Sequence, residues 1–346
     1  MKPAAAPARV DRRTLLGGLA AATLVSPALA QHKGRPAAMP RLGGGINLAG
    51  AEFNTTGRRV NVDYVYPDRA TVNYFTDRGF LLIRVPFLAG RLVAQGKSGL
   101  EPTPDMDIMA QVVKWAAEKN ARVILDMHEY GHALNGGLIG RDNGAAESFA
   151  ASWAAIARRF RATPNVIFGL MNEPNKQSAE EWLVGVNQAI AAIRGVGARQ
   201  LILVAGAYWD GAHSWTSTPN GMVMLGVKDP GANFAYEVHQ YLDKDSSGTH
   251  PEAVPGAGST RLASFIEWCR TQKARAVLGE FGWADNPVAQ AEGRALLEAV
   301  KASPDVWLGW TYWAAGPWWG DYMYSVHPKD GKDRPQMAVL QDYVKF

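Results

Sequence analysis

Apolar residues along the chain fall into eight short runs rich in strand-favouring side chains. Strands buried on both faces have this uninterrupted apolar character, whereas half-exposed strands alternate apolar and polar residues. Each run therefore predicts a strand of a sheet that is covered on both sides. The runs are Gly45–Leu48, Phe80–Val85, Arg122–Met127, Val166–Met171, Leu201–Ala205, Phe234–Val238, Ala276–Gly279 and Trp307–Tyr312.

Between the runs, apolar residues recur at the spacing of amphipathic helices. Helices in these gaps make the strands parallel, and eight strand–helix units close naturally into a barrel. The sequence therefore predicts an α/β fold, a single (β/α)8 TIM barrel whose active site lies at the carboxyl ends of the strands. The stretch Trp209–Asn233 is loop-like, and helices are predicted at Asp105–Lys119, Ser148–Arg161, Ser178–Arg194, Thr260–Gln272 and Val288–Ala302.

An open, doubly wound sheet is the structural alternative. Such a sheet is favoured by a glycine-rich dinucleotide turn, G-x-G-x-x-G, between the first strand and helix. Gly43-Gly44-Gly45 does not fit this motif, because Leu48 stands where the last glycine is required. The barrel remains the preferred interpretation.

The first thirty residues have the pattern of an export signal. Arg12-Arg13 precedes the apolar run Leu15–Ala22, and Ala28-Leu29-Ala30 has the small-x-small form of a cleavage site. We therefore expect a signal peptide at 1–30, of the twin-arginine type, although a general secretory signal can carry the same pair. The expected destination is the periplasm or the medium, and the expected folded domain is 31–346.

The charge of the chain points to no charged partner. The formal net charge is +4, and the predicted signal accounts for +3 of it, leaving +1 for the remainder. We therefore expect no nucleic-acid partner. We also expect no membrane partner, because no apolar run reaches the roughly 20 residues of a membrane span. The default expectation for the oligomeric state is a monomer. Cys269 is the only cysteine, and its place in an apolar helical pattern predicts a buried, unbridged thiol.

Polar and aromatic side chains follow nearly every predicted strand. Because the carboxyl ends of barrel strands meet at one mouth, these side chains are expected to lie together. In chain order they are Asn47, Glu52, Arg84, His128, Asn172, Glu173, Trp209, His213, His239, Tyr241, Glu280 and Trp313.

Two of these residues, Glu173 and Glu280, end the fourth and seventh predicted strands. Hydrolysis of a glycosidic bond needs such a pair, one protonated to donate to the leaving oxygen and one ionised to attack the anomeric carbon. Arg84 is expected beside Glu280, where it would keep that carboxylate charged. A retaining mechanism requires the two carboxyl groups to be about 5 to 5.5 Å apart.

Several segments around these residues resemble glycoside hydrolase family 5 (cellulase family A). The resemblance spans most of the chain after residue 30 and is closest to endo-β-1,4-glucanases of the fungal endoglucanase II type and their bacterial relatives. The segments that carry it are Leu82–Phe87, Ile124–Tyr130, Ile167–Pro174, Tyr236–Asp243, Leu278–Gly282 and Gly309–Gly316.

The resemblance implies a catalytic domain at 31–346 that acts on β-glucan, with no cofactor and no metal. Glu173 would be the acid/base and Glu280 the nucleophile, and Asn172 would bind the sugar 2-hydroxyl. The supporting roles are that Arg84 and Tyr241 hold the nucleophile, that His128 and His239 contact substrate or the acid/base, and that Trp313, followed by a cis peptide bond, forms the floor under the sugar. Trp209 is a further candidate for sugar stacking, because flat pyranose faces pack on indoles.

Three alternatives stay open. The segment His128-Glu129-Tyr130-Gly131-His132 matches the zinc-protease motif H-E-x-x-H, which binds metal only on a helix. The residues here follow a predicted strand, which disfavours that interpretation. A non-catalytic carbohydrate-binding barrel would lack one carboxylate, and a β-mannanase or xyloglucanase would share the same catalytic set.

Overall fold

The computed structural model describes residues 41–345, and the predicted export signal at 1–30 lies outside them. Eight parallel strands close into a barrel, and a separate two-stranded hairpin follows the second of them. The strands are β1 (Gly43–Leu48), β2 (Leu82–Phe87), β3 (Val93–Gly96), β4 (Gly99–Pro102), β5 (Arg122–Met127), β6 (Val166–Gly169), β7 (Ile202–Ala205), β8 (Phe234–His239), β9 (Ala276–Glu280) and β10 (Trp307–Ala315). Around the barrel the order is β1, β10, β9, β8, β7, β6, β5 and β2. The predicted (β/α)8 barrel is confirmed.

Helices cover the outside of the barrel. They are α1 (Arg69–Thr76), α2 (Ala89–Leu92), α3 (Asp105–Glu118), α4 (Ala145–Phe160), α5 (Ala179–Gly195), α6 (Asn220–Val223), α7 (Ala257–Thr260), α8 (Ala263–Gln272), α9 (Pro287–Lys301) and α10 (Gln336–Gln341). The loop-like stretch after β7 contains only α6 and three short 3₁₀ turns. In place of the single helix predicted at Thr260–Gln272, the structure has two helices, because α7 ends at Thr260 and α8 begins at Ala263.

Apolar side chains fill the amino-terminal half of the barrel interior. Seven of them lie within the first three residues of their strands, and Leu42 lies just before β1. This layer makes the lower barrel a packed core, so the polar strand-end residues gather only at the opposite mouth. The layer consists of Leu42, Leu82, Ile124, Ile167, Leu203, Ala235, Val277 and Leu308.

Cys269 lies on α8 and is fully buried with a free thiol, as predicted. A search of the helices within 41–345 finds none with the length and apolar character needed to cross a membrane.

Candidate active site

Glu173 and Glu280 face each other at the carboxyl-terminal mouth of the barrel. Glu280 is the last residue of β9, and Glu173 lies four residues beyond the end of β6. A carboxylate oxygen of Glu173 lies within 4.8 Å of one of Glu280. Glu173 has a φ of +44°, an uncommon conformation for a non-glycine residue that is found at functional sites. The backbone therefore turns this side chain toward the second carboxylate.

Arg84, on β2, is a fully buried cation at the centre of the site. Its guanidinium donates to Glu280 at 2.6 Å and lies 3.0 Å from a carboxylate oxygen of Asp126 and 2.9 Å from one of Glu237. Burial alone would lower the pKa of Arg84, but the three carboxylates outweigh it and hold the pKa above its usual range. Arg84 is therefore permanently charged, and Glu280 has a fixed positive partner.

Two asparagines also accept hydrogen bonds from Arg84. The amide oxygens of Asn47 and Asn172 each lie 2.9 Å from a guanidinium nitrogen. The amide nitrogen of Asn47 donates to the carbonyl of Gly279 at 3.0 Å, which links β1 to the end of β9. Arg84 thus orients side chains from several strands at once.

Tyr241 holds the second oxygen of Glu280. Its hydroxyl donates to Glu280 Oε2 at 2.9 Å, while Arg84 bonds to Oε1. Burial and the nearby charge of Glu280 raise the pKa of Tyr241 well above its usual range, so the hydroxyl keeps its proton and remains a donor. The carboxylate of Glu280 is therefore fixed at both oxygens.

His239, the last residue of β8, contacts Glu173. Its Nδ1 lies 2.8 Å from Glu173 Oε1 and 3.4 Å from Asp210 Oδ1. Burial alone would lower the pKa of His239, but Asp210 and Glu280, together with the hydrogen bonds, raise it well above its usual range. The imidazole is therefore a charged donor to Glu173.

His128 and Trp313 form one wall of the mouth. The two rings stack at 5.5 Å between centroids with an angle of 13°, and His128 Nδ1 lies 2.7 Å from Asp126. Burial alone would lower the pKa of His128, but Asp126 raises it above its usual value. The peptide bond between Trp313 and Ala314 is cis, as the resemblance implied.

Trp209 lies farther out and is 56% exposed. Its ring meets the edge of Tyr130 at a centroid distance of 6.1 Å, and Tyr130 in turn lies 3.3 Å from His128 through its hydroxyl. Trp209 is therefore connected to the site through Tyr130 and His128.

Contacts therefore link all nine residues that the sequence predicted for the site. Four further residues contact them for which the sequence analysis predicted no role in the site. Asp126 and Glu237 are buried single charges inside apolar runs, which is the sequence signal that could have identified them. Asn47 was expected at the mouth without a partner, and Asp210 has no comparable signal. His213 does not join the site, since it hydrogen-bonds to Gln240.

The zinc-protease alternative fails on geometry. His128 to His132 do not form a helix, and His128 is bonded to Asp126 while His132 bonds to the carbonyl of Gly136. Among residues 41–345, the clusters of potential metal ligands are Glu173 with His239 and Glu280, and Asp243 with Asp245 and His250; neither contains both histidines of the motif.

Comparison with known proteins identifies the family. The model of the family "Cellulase (glycosyl hydrolase family 5)" matches residues 46–316, which is more than half of the chain. The chain is similar to endo-beta-1,4-glucanase B of Aspergillus niger, with 33% identity over 334 residues that cover 95% of this chain and 98% of that protein. Among solved structures, it is similar to the endo-beta-1,4-glucanase Xac0029 of Xanthomonas axonopodis pv. citri, with 38% identity, a TM-score of 0.83 and coverage of 87% of this chain and 98% of that chain.

A second solved structure is that of XacCel5A in complex with cellopentaose. It is 41% identical, with a TM-score of 0.83 and coverage of 88% of this chain and 99% of that chain. The matched range contains both strand-end glutamates, the buried arginine and the tryptophan that stacks on His128. The chain therefore belongs to the cellulase family, glycosyl hydrolase family 5, and is a glycoside hydrolase.

Proposed function

We propose that this enzyme is a retaining endo-β-1,4-glucanase that cleaves β-1,4-glucan through a covalent glycosyl-enzyme. The observation that carries the mechanism is the pair of carboxylates with oxygens within 4.8 Å of each other. Retaining glycosidases have carboxyl groups about 5 to 5.5 Å apart, whereas inverting enzymes leave about 6.5 to 9.5 Å for a water molecule. The close approach supports retention.

In the first step, Glu280 is the nucleophile. One of its carboxylate oxygens bonds to the anomeric carbon as the bond to the leaving oxygen breaks, and Glu173 gives its proton to that oxygen. Arg84 and Tyr241 support this role, because they keep Glu280 charged and hold its two oxygens in place.

In the second step, Glu173 acts as a base. It takes a proton from water, the water oxygen bonds to the anomeric carbon, and the bond to Glu280 breaks, so the sugar leaves with its original configuration. His239 supports both steps, because its N–H at 2.8 Å favours the carboxylate form that Glu173 must adopt between them.

The remaining predicted residues would position the sugar. Asn172, whose amide oxygen is held by Arg84, would donate its amide N–H to the 2-hydroxyl. Trp313, supported from behind by His128, would lie under the sugar ring at the cleavage point. Trp209 is exposed at the mouth, where it would stack on a sugar farther along the chain.

The substrate assignment is supported by the similar proteins. The Aspergillus niger and Xanthomonas proteins are endo-beta-1,4-glucanases, and XacCel5A was solved with cellopentaose. We infer from them that the present enzyme binds β-1,4-linked glucose chains in the cleft that contains Glu173 and Glu280.

A substrate panel tests this assignment. Purified enzyme is given soluble β-1,4-glucan, mixed-linkage glucan, xyloglucan and mannan, and product sizes are read early in each reaction. We expect the highest kcat/KM on β-1,4-glucan with a mixture of oligosaccharides of several lengths at the start. Preference for mannan or xyloglucan would overturn the substrate, and release of a single short product from the outset would overturn endo action.

We also propose that residues 1–30 direct export. The support is the pattern of Arg12-Arg13, an apolar run and Ala28-Leu29-Ala30. N-terminal sequencing of the protein recovered outside the cytoplasm tests this, with a start near Gln31 expected. Recovery of the active protein only from the cytoplasm, with residues 1–30 still attached, would contradict it.

A further inference from the structure

Asp210 is a buried carboxyl group beside the proposed acid/base that the mechanism above does not use. It is fully buried, and its Oδ1 lies 3.4 Å from Nδ1 of His239, the same nitrogen that contacts Glu173. The single N–H at this position is directed to Glu173, the nearer of the two. Among residues 41–345, no donor forms a hydrogen bond with either carboxyl oxygen of Asp210.

The backbone places Asp210 there by an unusual turn. Tyr208, Trp209 and Asp210 are consecutive non-glycine residues with φ values of +58°, +62° and +41°. The next residue, Gly211, forms a parallel bridge with His239, so the end of the turn is joined to the end of β8. This conformation costs free energy and is found where a side chain must be held in one position.

Asp210 belongs to a cluster in which carboxyl groups outnumber cations. The charged groups that act on it are His239 and Glu237 from β8, Glu173 from the segment after β6, and Glu280 from β9. Arg84 from β2 pairs with Glu237 and Glu280, so four carboxyl groups stand against two cations. Burial raises the pKa of Asp210 well above its usual range, and the neighbouring carboxylates add to this effect while His239 opposes it. A buried cluster with excess carboxyl groups holds a proton in common, because like charges at short range cannot all ionise.

We propose that Asp210, which lies against the same nitrogen of His239 as Glu173, is a positioning residue whose charge keeps the acid proton of Glu173 in place as the pH rises. The carboxyl groups of Asp210 and Glu173 share one proton. If that proton left, both groups would be negatively charged at short range, which is unfavourable, so the proton is retained to higher pH. This inference rests on the proposed function, since it takes Glu173 to be the acid. It adds a residue that does not touch the substrate.

The test is the pH profile of Asp210→Asn. Asparagine keeps the size of the side chain and removes the group that can carry negative charge. With one carboxylate fewer in the cluster, less negative charge opposes the loss of the shared proton, so we expect the alkaline limb of kcat/KM on cello-oligosaccharides to move to lower pH by about one unit. The acid limb should stay in place.

A change of leaving group separates this role from a merely structural one. An aryl cellobioside with a dinitrophenolate leaving group needs no acid, so Asp210→Asn should match the wild type on it at high pH. Asp210→Glu should restore the wild-type limb on cello-oligosaccharides. Asp285→Asn, the same substitution at an exposed carboxylate, controls for the change in net charge.

The results that overturn the inference are specific. An unmoved alkaline limb, or an equal loss of rate at every pH and with both leaving groups, would assign Asp210 to structure alone. Asp210→Ser, a smaller neutral variant, must show the same displacement as Asp210→Asn. Failure of both neutral variants to fold while Asp210→Glu folds would also overturn the proposal. The proposed function is tested by the wild type alone: failure of the wild type to cleave both substrates would contradict that function, whatever Asp210→Asn does.

Discussion

At the scale of single residues, the site depends on one buried cation. Arg84 is fully buried and contacts Asp126, Glu237 and Glu280 at 3.0, 2.9 and 2.6 Å. Each carboxylate would be strongly destabilised in this environment without a positive partner. The same guanidinium that pairs with Glu280, the proposed nucleophile, therefore also stabilises the fold around it.

Replacing Arg84 tests this dual role. Arg84→Met leaves three buried carboxylates without their cation, and we expect the free energy of unfolding to fall by about 3 to 5 kcal/mol, measured by urea unfolding at neutral pH. Arg270→Met is the matched control, because Arg270 pairs with Asp305 where both side chains are about half exposed, and it should lower the free energy of unfolding far less than Arg84→Met. Equal losses in the two variants would contradict the account.

Glu129 predicts a pH dependence of stability. Burial raises the pKa of its carboxyl group to about 7, and no donor within the described residues bonds to its Oε2. This pKa is higher in the folded than in the unfolded protein, so protonation of Glu129 favours the folded state. Its contribution to the free energy of unfolding is complete below the unfolded pKa of about 4.5 and is lost as the pH rises through 7. Between pH 5 and 8, ionisation of Glu129 should lower the free energy of unfolding of the wild type by on the order of 2 kcal/mol.

Chemical unfolding of Glu129→Gln at several pH values measures this effect. Glutamine cannot ionise, so the decline between pH 5 and 8 should be smaller than in the wild type. Glu147→Gln, at an exposed position on α4, should leave the decline unchanged. A decline in Glu129→Gln as steep as that of the wild type would show that Glu129 does not titrate as described.

The sequence predicts the residues of the site that end strands. Glu173, Glu280 and Arg84 could be placed together because the carboxyl ends of parallel strands meet at one mouth. The buried partners Asp126 and Glu237 were within reach as isolated charges in apolar runs. Asp210 was not, because its position depends on a three-residue turn of positive φ that no local residue pattern indicates.

At the scale of elements, the strands and long helices follow from hydrophobic spacing. The eight apolar runs became barrel strands with shifts of a few residues at their ends, as at β10, which extends to Ala315. The hairpin of β3 and β4 was not predicted, because its strands are short and largely exposed and so lack an apolar run. Helix α5 begins where predicted, since Ser178 and Glu181 form a capping box.

This cap gives a prediction for one element. In Ser178→Ala, the N–H of Glu181 loses the acceptor that lies 3.2 Å away, and the free energy of unfolding should fall by about 1 kcal/mol. Ser98→Ala, at an exposed position in the turn between β3 and β4, should change it by no more than about 0.5 kcal/mol. Thermal and urea unfolding of both variants measure the difference. An unchanged free energy of unfolding in Ser178→Ala would show that this cap does not stabilise α5.

At the scale of the whole molecule, the strands of the closed barrel share one interior apolar layer and the helices pack around them, so these parts are expected to unfold together. Cys269 reports on this, because it is the only cysteine of the chain and is fully buried on α8. Burial raises the pKa of its thiol, which further suppresses its reaction. A thiol reagent should react slowly with the native protein and quickly once denaturant removes the circular dichroism of the barrel. Rapid reaction before that loss would show that α8 opens by itself.

Retention through a glycosyl-enzyme requires that Glu280 forms a covalent bond to the sugar. Its most direct test is incubation with a 2-deoxy-2-fluoro-β-cellobioside that has a dinitrophenolate leaving group, followed by mass spectrometry of the intact protein and its peptides. We expect loss of activity together with the addition of one fluorocellobiosyl unit, attached to the peptide that contains Glu280 and absent from Glu280→Gln. Attachment to another residue, or an unmodified enzyme that still hydrolyses β-1,4-glucan with inversion at the anomeric carbon, would contradict it.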